Sequence, residues 1–517
     1  MDHLYPTTTN ESVLLLDEAL VEAADGVERE VQPGAKVPFV MEPDADKSWE
    51  YGGPGLSRRI YLYGTVLHDR GKYRMWYFCR MGPHWRFADG NHQIPGLYMP
   101  RSDEKPYHYH GATADRYGRA FVDNDRGDLT CYAESDDGIH WRKPELGIFT
   151  FDGRADNNIV WDLHGASVFV DRDEPDPRRR YKAIGFCRRY RNIFLLCSAD
   201  GIRWDDRDDL EPVARRGSEG TFNVVYDPRG GVFRAYSLTR LDDRDKRRII
   251  CYSESPALAG PWKDAVPIFE PTHWDDEIGR RKYGALRAEF HNMSGFRYNN
   301  LYLGLLGVLY VTAEQDPDDP HQMPCDGPID AQWAYSRDGI NWQHADRART
   351  SAIPRGAGDA FDRGMIIGTC KEPVVVGDEV HWYYSGAENT HGGKLEYRVK
   401  RIGRVTWRRD RFVALAGTGE VATRAVRVPA GARRLQVNAD ARTRQLRVEL
   451  CDVDGRVLAG FAREDCASIT GDDLRAEVRW QGGDVPAGAV KLRFALAGAR
   501  LYSFTFVDLC GRAAARP

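Results

Sequence analysis

No stretch of the chain approaches the roughly 20 consecutive apolar residues of a bilayer-spanning helix, so no membrane segment is expected. The opening residues, Met1-Asp2-His3-Leu4-Tyr5-Pro6, hold no basic stretch followed by an apolar run. No secretory signal is expected there, and a cytoplasmic location is the default. Neither sign of charge dominates: 73 Lys and Arg stand against 77 Asp and Glu. A nucleic-acid-binding surface is therefore not the expected business of the chain. The 10 cysteines are scattered, with no Cys-x-x-Cys pair. That spacing offers no zinc site, and buried strand thiols are expected instead.

What the chain does have is a phrase that returns. It reads Ser135-Asp136-Asp137-Gly138-Ile139-His140-Trp141, then Ser198-Ala199-Asp200-Gly201-Ile202-Arg203-Trp204, then Ser336-Arg337-Asp338-Gly339-Ile340-Asn341-Trp342. A worn copy holds Ser253-Glu254-Ser255 and Gly260-Pro261-Trp262. Asp accepts bonds from its own turn, Gly supplies positive φ, and Trp folds back as an apolar plug. An apolar or aromatic strand runs into each copy, for example Leu129-Thr130-Cys131-Tyr132-Ala133 and Gln332-Trp333-Ala334-Tyr335. The repeated aspartates are expected to be structural.

Five similar units of short alternating strands carry these turns, opening near Ile60, Ala166, Thr221, Ala288 and Met365. The first holds a long polar insertion over 82–119. A repeat of about 55–80 residues is too long for a WD-type blade of about 40–45 and fits a propeller with insertions. Blades packed around an axis also remove the open-edge problem. Two stacked sandwiches are the structural alternative. Ahead of the units, Ser12-Val13-Leu14-Leu15-Leu16 reads as a strand entering the repeats, with a helix over 18–24 as the competing reading. Beyond residue 410 come period-two strands such as Leu446-Arg447-Val448-Glu449-Leu450 and Leu501-Tyr502-Ser503-Phe504-Thr505-Phe506. They predict a β-sandwich. The expected fold is thus all-β: a five-bladed propeller with a lead-in over 1–409, then a β-sandwich over 410–517.

These features together resemble the five-bladed β-propeller glycoside hydrolases, the superfamily of invertase-like and arabinanase-like enzymes, many with a C-terminal β-sandwich. The Trp-tagged turn also resembles the Asp-box of six-bladed sialidases. The likeness covers nearly the whole chain as architecture. The Trp-x-Asn-Asp-Pro signature of invertases is absent, as is a clean Arg-Asp-Pro. The resemblance implies an acidic pocket at one end of the central channel and a carbohydrate substrate.

Glycoside hydrolysis uses one protonated carboxyl and one ionised carboxylate about the scissile bond. Residues near the start of each channel-lining strand are the candidates. Glu50 lies beside Trp49 and Tyr51, in aromatic company that suits a sugar. Arg287, Glu289 and His291 alternate onto one strand face, costly unless that face is wet. Glu219 shares a face with Thr221 and Asn223. Asp362 and Arg363 precede the fifth unit, Glu388 and His391 follow its aromatic strand, and His164 opens the second. Each has a bland reading as a turn, ion-pair or backbone-bonded residue. Asp275 and Asp276, after Trp274, read as solvated loop acids.

The expected function is hydrolysis of a small oligosaccharide or glycoside. Glu50 and Asp362 are candidates for the ionised role, Glu289 and Glu219 for the acid. Trp49, His164, Asn223, Arg287, His291, Arg363, Glu388 and His391 are candidates for binding. No cofactor and no metal are expected. A sialidase-like enzyme would ask Arg59, Arg287 and Arg363 to hold a carboxylate. A glycoside phosphorylase would need a basic phosphate subsite, and a binding propeller would lack paired carboxylates.

Overall fold

A computed structural model describes residues 4–47, 49–50, 60–80, 128–149, 154–161, 163–187, 192–205, 213–214, 222–240, 247–314, 325–392, 399–442 and 444–508. It is mostly β, with one α-helix among the described residues. Five antiparallel meanders follow one another. Their first strands are β1 (Ile60–Asp69), β2 (His164–Val170), β3 (Phe222–Asp227), β4 (Arg287–Tyr298) and β5 (Met365–Thr369). Each pairs with a second strand, and that with a third. The first strands touch in sequence, β1 to β2 to β3 to β4 to β5, and β5 returns to β1. The meanders therefore stand in a propeller-like ring. Its last member takes its outer strand from the other end of the repeat region: Ala35–Lys36 pairs with Lys400–Arg408.

A belt of small polar side chains ties neighbouring meanders at the axis. Thr65 Oγ1 donates to Ala166 O and accepts from Val168 N, both at 2.8 Å. Ser167 Oγ accepts from Val224 N at 2.9 Å, and Asn223 Nδ2 donates to Met293 O at 2.9 Å. Ser294 and Thr369 meet at 2.7 Å, and Leu62 N donates to Ser385 Oγ at 2.6 Å. Every junction of the ring thus carries a side-chain bond that satisfies buried groups the ladders leave open. Ser167→Ala strips the partner from a buried backbone N–H. It is expected to cost about 1–2 kcal/mol, read from denaturant unfolding; an unchanged midpoint would show that the belt contributes nothing at that junction.

The Trp-tagged turns close the third strand of their meanders, as their chemistry requires. In each full copy the serine Oγ accepts from the glycine N–H at 2.9 Å. The aspartate Oδ1 accepts from the next two backbone N–H groups at 2.8 Å. Gly138, Gly201 and Gly339 all take positive φ. The nine described cysteines are buried, as expected.

The structure differs from the sequence reading in two places. Asp275 and Asp276 are not loop acids but stand in the first turn of α1 (His273–Tyr283). Thr272 and Asp275 form a reciprocal capping box and Gly284 ends the helix in the left-handed region, signals that outweigh its weak amphipathic pattern. The first two lead-in strands do not pair with the repeats either, although Leu14, Leu16 and Val31 pack into the ring's core. Val13–Leu14 pairs with Gly488–Val507, and Val21–Val31 with Val413–Thr423. Both join an eight-stranded set built on the 20-residue strand Gly488–Val507. Tyr5, Val13, Leu15 and Leu20 share that unit's core, which is separate from the core of the ring. Asp410 joins the two, accepting from Tyr298, Asn299 and Ser503.

Candidate active site

Four of the five first strands break register at a corresponding place. On β1 the irregularity spans Tyr61 to Thr65, and on β5 it spans Ile366 to Thr369. The β2 pairing shifts between His164 and Ser167, and the β4 pairing between Phe290 and Asn292. Such bulges leave a residue out of the ladder and re-aim its side chain. The residues so placed include Tyr63, Gly165, His291 and Gly368. Tyr63 lies across the gap: a Cβ on Gly368 would come 2.7 Å from its ring, and one on Gly165 2.2 Å from its carbonyl oxygen. Glycine at both positions lets the tyrosine fill the axis.

Around Tyr63 the side chains are aromatic and ionisable. Its ring stacks on Phe78 at 5.8 Å and on Tyr61 at 6.2 Å, and meets His164 at 5.8 Å. Its hydroxyl lies 3.4 Å from His291 Nδ1. His391 meets His291 edge-on at 5.1 Å. His391 Nδ1 lies 3.0 Å from Cys325 O; a carbonyl only accepts, so that nitrogen carries the proton. Lys400 Nζ donates to Tyr61 Oη at 2.5 Å and lies 3.9 Å from the ring centre.

Glu289 is buried beside this group. Arg248 donates to Oε2 at 2.5 Å and Arg287 to Oε1 at 2.9 Å. Arg287 also pairs with Glu314. Burial works against the Arg287 guanidinium, but the two carboxylates outweigh it and hold the group above its ordinary value. Arg248 reaches Cys325 Sγ at 3.5 Å, and burial pushes that thiol up.

The other candidates are placed differently. Glu50 is buried with Oε1 accepting from Tyr77 at 2.7 Å and Oε2 from Lys143 at 2.6 Å and Asp44 N at 2.8 Å. Burial alone would lower Lys143, but the charge and hydrogen bond of Glu50 prevail and raise it. Trp49 is buried, its indole N–H on Asn158 Oδ1 at 3.3 Å and Lys47 over its ring. Asp362 accepts from Lys36 at 2.7 Å, Tyr384 at 2.8 Å and Gly356 N at 3.1 Å. Arg363 bonds Gly358 O and Glu388, and Glu388 also takes Arg401. Asn223 belongs to the belt. Glu219 lies outside the described residues.

The structure thus brings together Arg287 with Glu289, His291 with His391, and Arg363 with Glu388. Among the described residues, Glu50, Glu289 and Asp362 share no bonding partner. Tyr61, Tyr63, Lys400 and Arg248 were not singled out in the sequence. Two tyrosines alternating before Gly64 were the available signal for the first pair. Arg248 and Lys400 sit at the starts of third strands, where no candidate was sought. Among the described residues no group of three or more His, Cys, Asp or Glu is arranged to hold a metal ion.

No family model matches the chain. Over 180 residues it is 26% identical to an uncharacterised protein of Mycobacterium tuberculosis, across 34% of this chain and 45% of that protein. A counterpart from a second strain matches to the same extent. The chain thus spans about half the length of the curated relatives it matches. The solved structures to which it is similar include a glycoside hydrolase at 14% identity and TM-score 0.42, covering 72% of this chain and 92% of that one. The catalytic domain of a Coprinopsis cinerea family 62 α-L-arabinofuranosidase is similar at 11% and 0.39, covering 73% and 97%. An N-acetylgalactosamine deacetylase from F. plautii is similar at 12% and 0.40, covering 74% and 96%.

Proposed function

We propose that the chain is a carbohydrate-active enzyme, a glycoside hydrolase acting on a small oligosaccharide or glycoside at the end of the ring axis where Tyr63 and His291 meet. The observation that carries this reading is convergence. Tyr61 and Tyr63, His164, Glu289 and His291, and His391 and Lys400 come from four meanders to one aromatic and ionisable cluster. Aromatic faces suit sugar C–H surfaces, and titratable groups in such a setting suit proton transfer. Of the carboxylates, Glu289 and Glu219 are assigned to the chemistry. The contacts of Glu50 and Asp362 with Lys143 and Lys36 suit anchoring the meanders.

The test is turnover of a panel of aryl glycosides and oligosaccharides, with and without inorganic phosphate. Glu289→Gln and Glu219→Gln are each expected to lose about 100-fold or more in kcat. Wild-type-like turnover in both variants would remove the carboxylate assignment. No turnover of any glycoside by the native protein would remove the hydrolase reading, and turnover only with phosphate would replace it by a phosphorylase. One observation favours a second reading, a carbohydrate-binding ring without turnover: Glu50, Glu289 and Asp362 all have both oxygens engaged by the chain itself. Calorimetric sugar binding without product would decide for it.

A further inference from the structure

Arg297, near the far end of β4, is a cation to which the described residues give no counter-charge. It stands opposite Tyr302 in the ladder, its guanidinium 4.9 Å from the ring centre. The residue is half-buried, and its Nη2 is buried with no hydrogen-bond partner. Two acids lie near, and both are engaged. Asp227, which ends β3, accepts from Tyr302 Oη at 2.6 Å, Arg234 Nε at 3.0 Å and Arg229 N at 3.2 Å. Glu11 of the lead-in accepts from Arg229 Nη2 with both oxygens, at 2.9 and 2.8 Å. The guanidiniums of Arg229, Arg234 and Arg297 thus share two carboxylates, and the surplus positive charge falls on Arg297. Arg234 also lies over Tyr302, 4.8 Å from the ring centre, so one aromatic ring serves two cations. Burial and the Arg229 guanidinium both push Arg297 below its ordinary value. A part-buried guanidinium whose donors find no acceptor is costly to keep.

We propose that Arg297 and Arg229 form a binding site for a phosphate group, free or carried on a small phosphomonoester, at the end of the ring away from the candidate active site. Six residues of β4 separate Arg297 from His291, about 20 Å of strand. The proposal therefore stands apart from the hydrolase reading. Guanidinium forks match oxyanions through charge-assisted hydrogen bonds. Arg229 holds Glu11 through Nη2, which leaves Nε and Nη1 to a ligand, and its side chain is half exposed. The two arginines come from different meanders, Arg229 from the turn after β3 and Arg297 from β4. A tetrahedral oxyanion presents oxygens in several directions and can accept from both, whereas a planar carboxylate serves one, as Glu11 does. Such a ligand would also tie the third and fourth meanders to the lead-in through Arg229 and Glu11.

The experiment is thermal unfolding of the full chain in rising inorganic phosphate, with sodium chloride lowered to hold ionic strength, and again in rising glucose 6-phosphate. The native midpoint is expected to rise by about 2 °C and level off. Arg297→Met keeps the stem over Tyr302 and removes the charge. It is expected to lose that rise. In chloride alone it is expected to unfold at or above the native midpoint, since it removes a cation that Arg229 repels. An equal rise in Arg297→Met is the general salting effect of phosphate and overturns the proposal. A midpoint for Arg297→Met more than about 3 °C below native in chloride, or failure of that variant to fold, also overturns it, because Arg297 would then be compensated within the chain. A rise with the sugar phosphate only supports a monoester as the ligand, and a rise with inorganic phosphate only supports the free ion. A rise with neither overturns the proposal.

Discussion

Glu50→Gln is expected to lower the stability of the folded chain by about 3–5 kcal/mol, the usual cost of leaving one member of a buried ion pair without its partner. Glu50 is fully buried and Lys143 nearly so, and the two are 2.6 Å apart. Glutamine keeps the volume and the bond from Tyr77 but leaves the ammonium only the part-exposed Asp44 carboxylate, 3.2 Å away, in place of its buried counter-charge. Denaturant unfolding measures the loss. Lys143→Met in the same chain is expected to return part of it, since two neutral groups bury more cheaply than one unpaired charge. Because Glu50 raises Lys143, the pair's contribution is complete below the lysine's unfolded value and is lost as pH rises through the higher folded one. The single variant should therefore be less sensitive to alkali than the native chain. If Glu50 is instead a reacting carboxylate, Glu50→Gln will abolish turnover and leave the unfolding midpoint where it was.

The ring was legible because its signal repeats. Alternation in the strand before each Trp-tagged turn, and the Asp-Gly pair within it, are local features that tertiary packing did not override. The capping box at Thr272 and Asp275 was equally local, but Trp274 stands inside it and the helix lacks a strong apolar stripe, so the acids passed for a loop. The pairing of Val13–Leu14 and Val21–Val31 with strands about 380 to 490 residues away leaves no trace in a window of the sequence. The site shows the same division. Arg287, Glu289 and His291 were found because three ionisable residues alternating on a strand are costly to bury. Arg248 was not, since it reaches Glu289 across a junction between meanders. Tyr63 hides within an apolar run whose bulge depends on Gly368, 305 residues away by the numbering. Glu50 and Asp362 look like pocket acids because a carboxylate among aromatics reads the same whether it faces a sugar or a lysine.

The turns also explain how neighbouring meanders keep their angle. Arg74 and Trp76 of the first meander's second strand donate to Asp200 O and Gly201 O of the second meander's turn, at 2.9 and 2.7 Å. Arg234 and Tyr236 of the third do the same to Asp338 O and Gly339 O of the fourth, at 2.8 and 3.0 Å. Tyr383 and Arg404, opposite one another on the fifth, reach Gly138 O and Asp137 O of the first. An arginine and an aromatic donor thus grip two carbonyls that only an intact turn presents. Asp338 makes that turn. Desolvation would raise its carboxyl, but the N–H groups of Asn341 and Ile340, with the Asn341 and Ser336 side chains, bring it down to about 2. Asp338→Ala removes the acceptor for all of them and is expected to cost about 2–3 kcal/mol. Combined with Tyr236→Phe, the two losses should fall short of additivity by about 1 kcal/mol, since the tyrosine has less to hold once the turn is gone. The carboxylate's contribution is present above the unfolded aspartate value of about 3.9 and fades as pH falls toward about 2. Acid unfolding of Asp338→Ala should therefore begin from a lower stability but show a shallower decline over that interval than the native chain. Losses that add within about 0.3 kcal/mol would mean that turn and grip act independently, and that the ring holds its angle by its core alone.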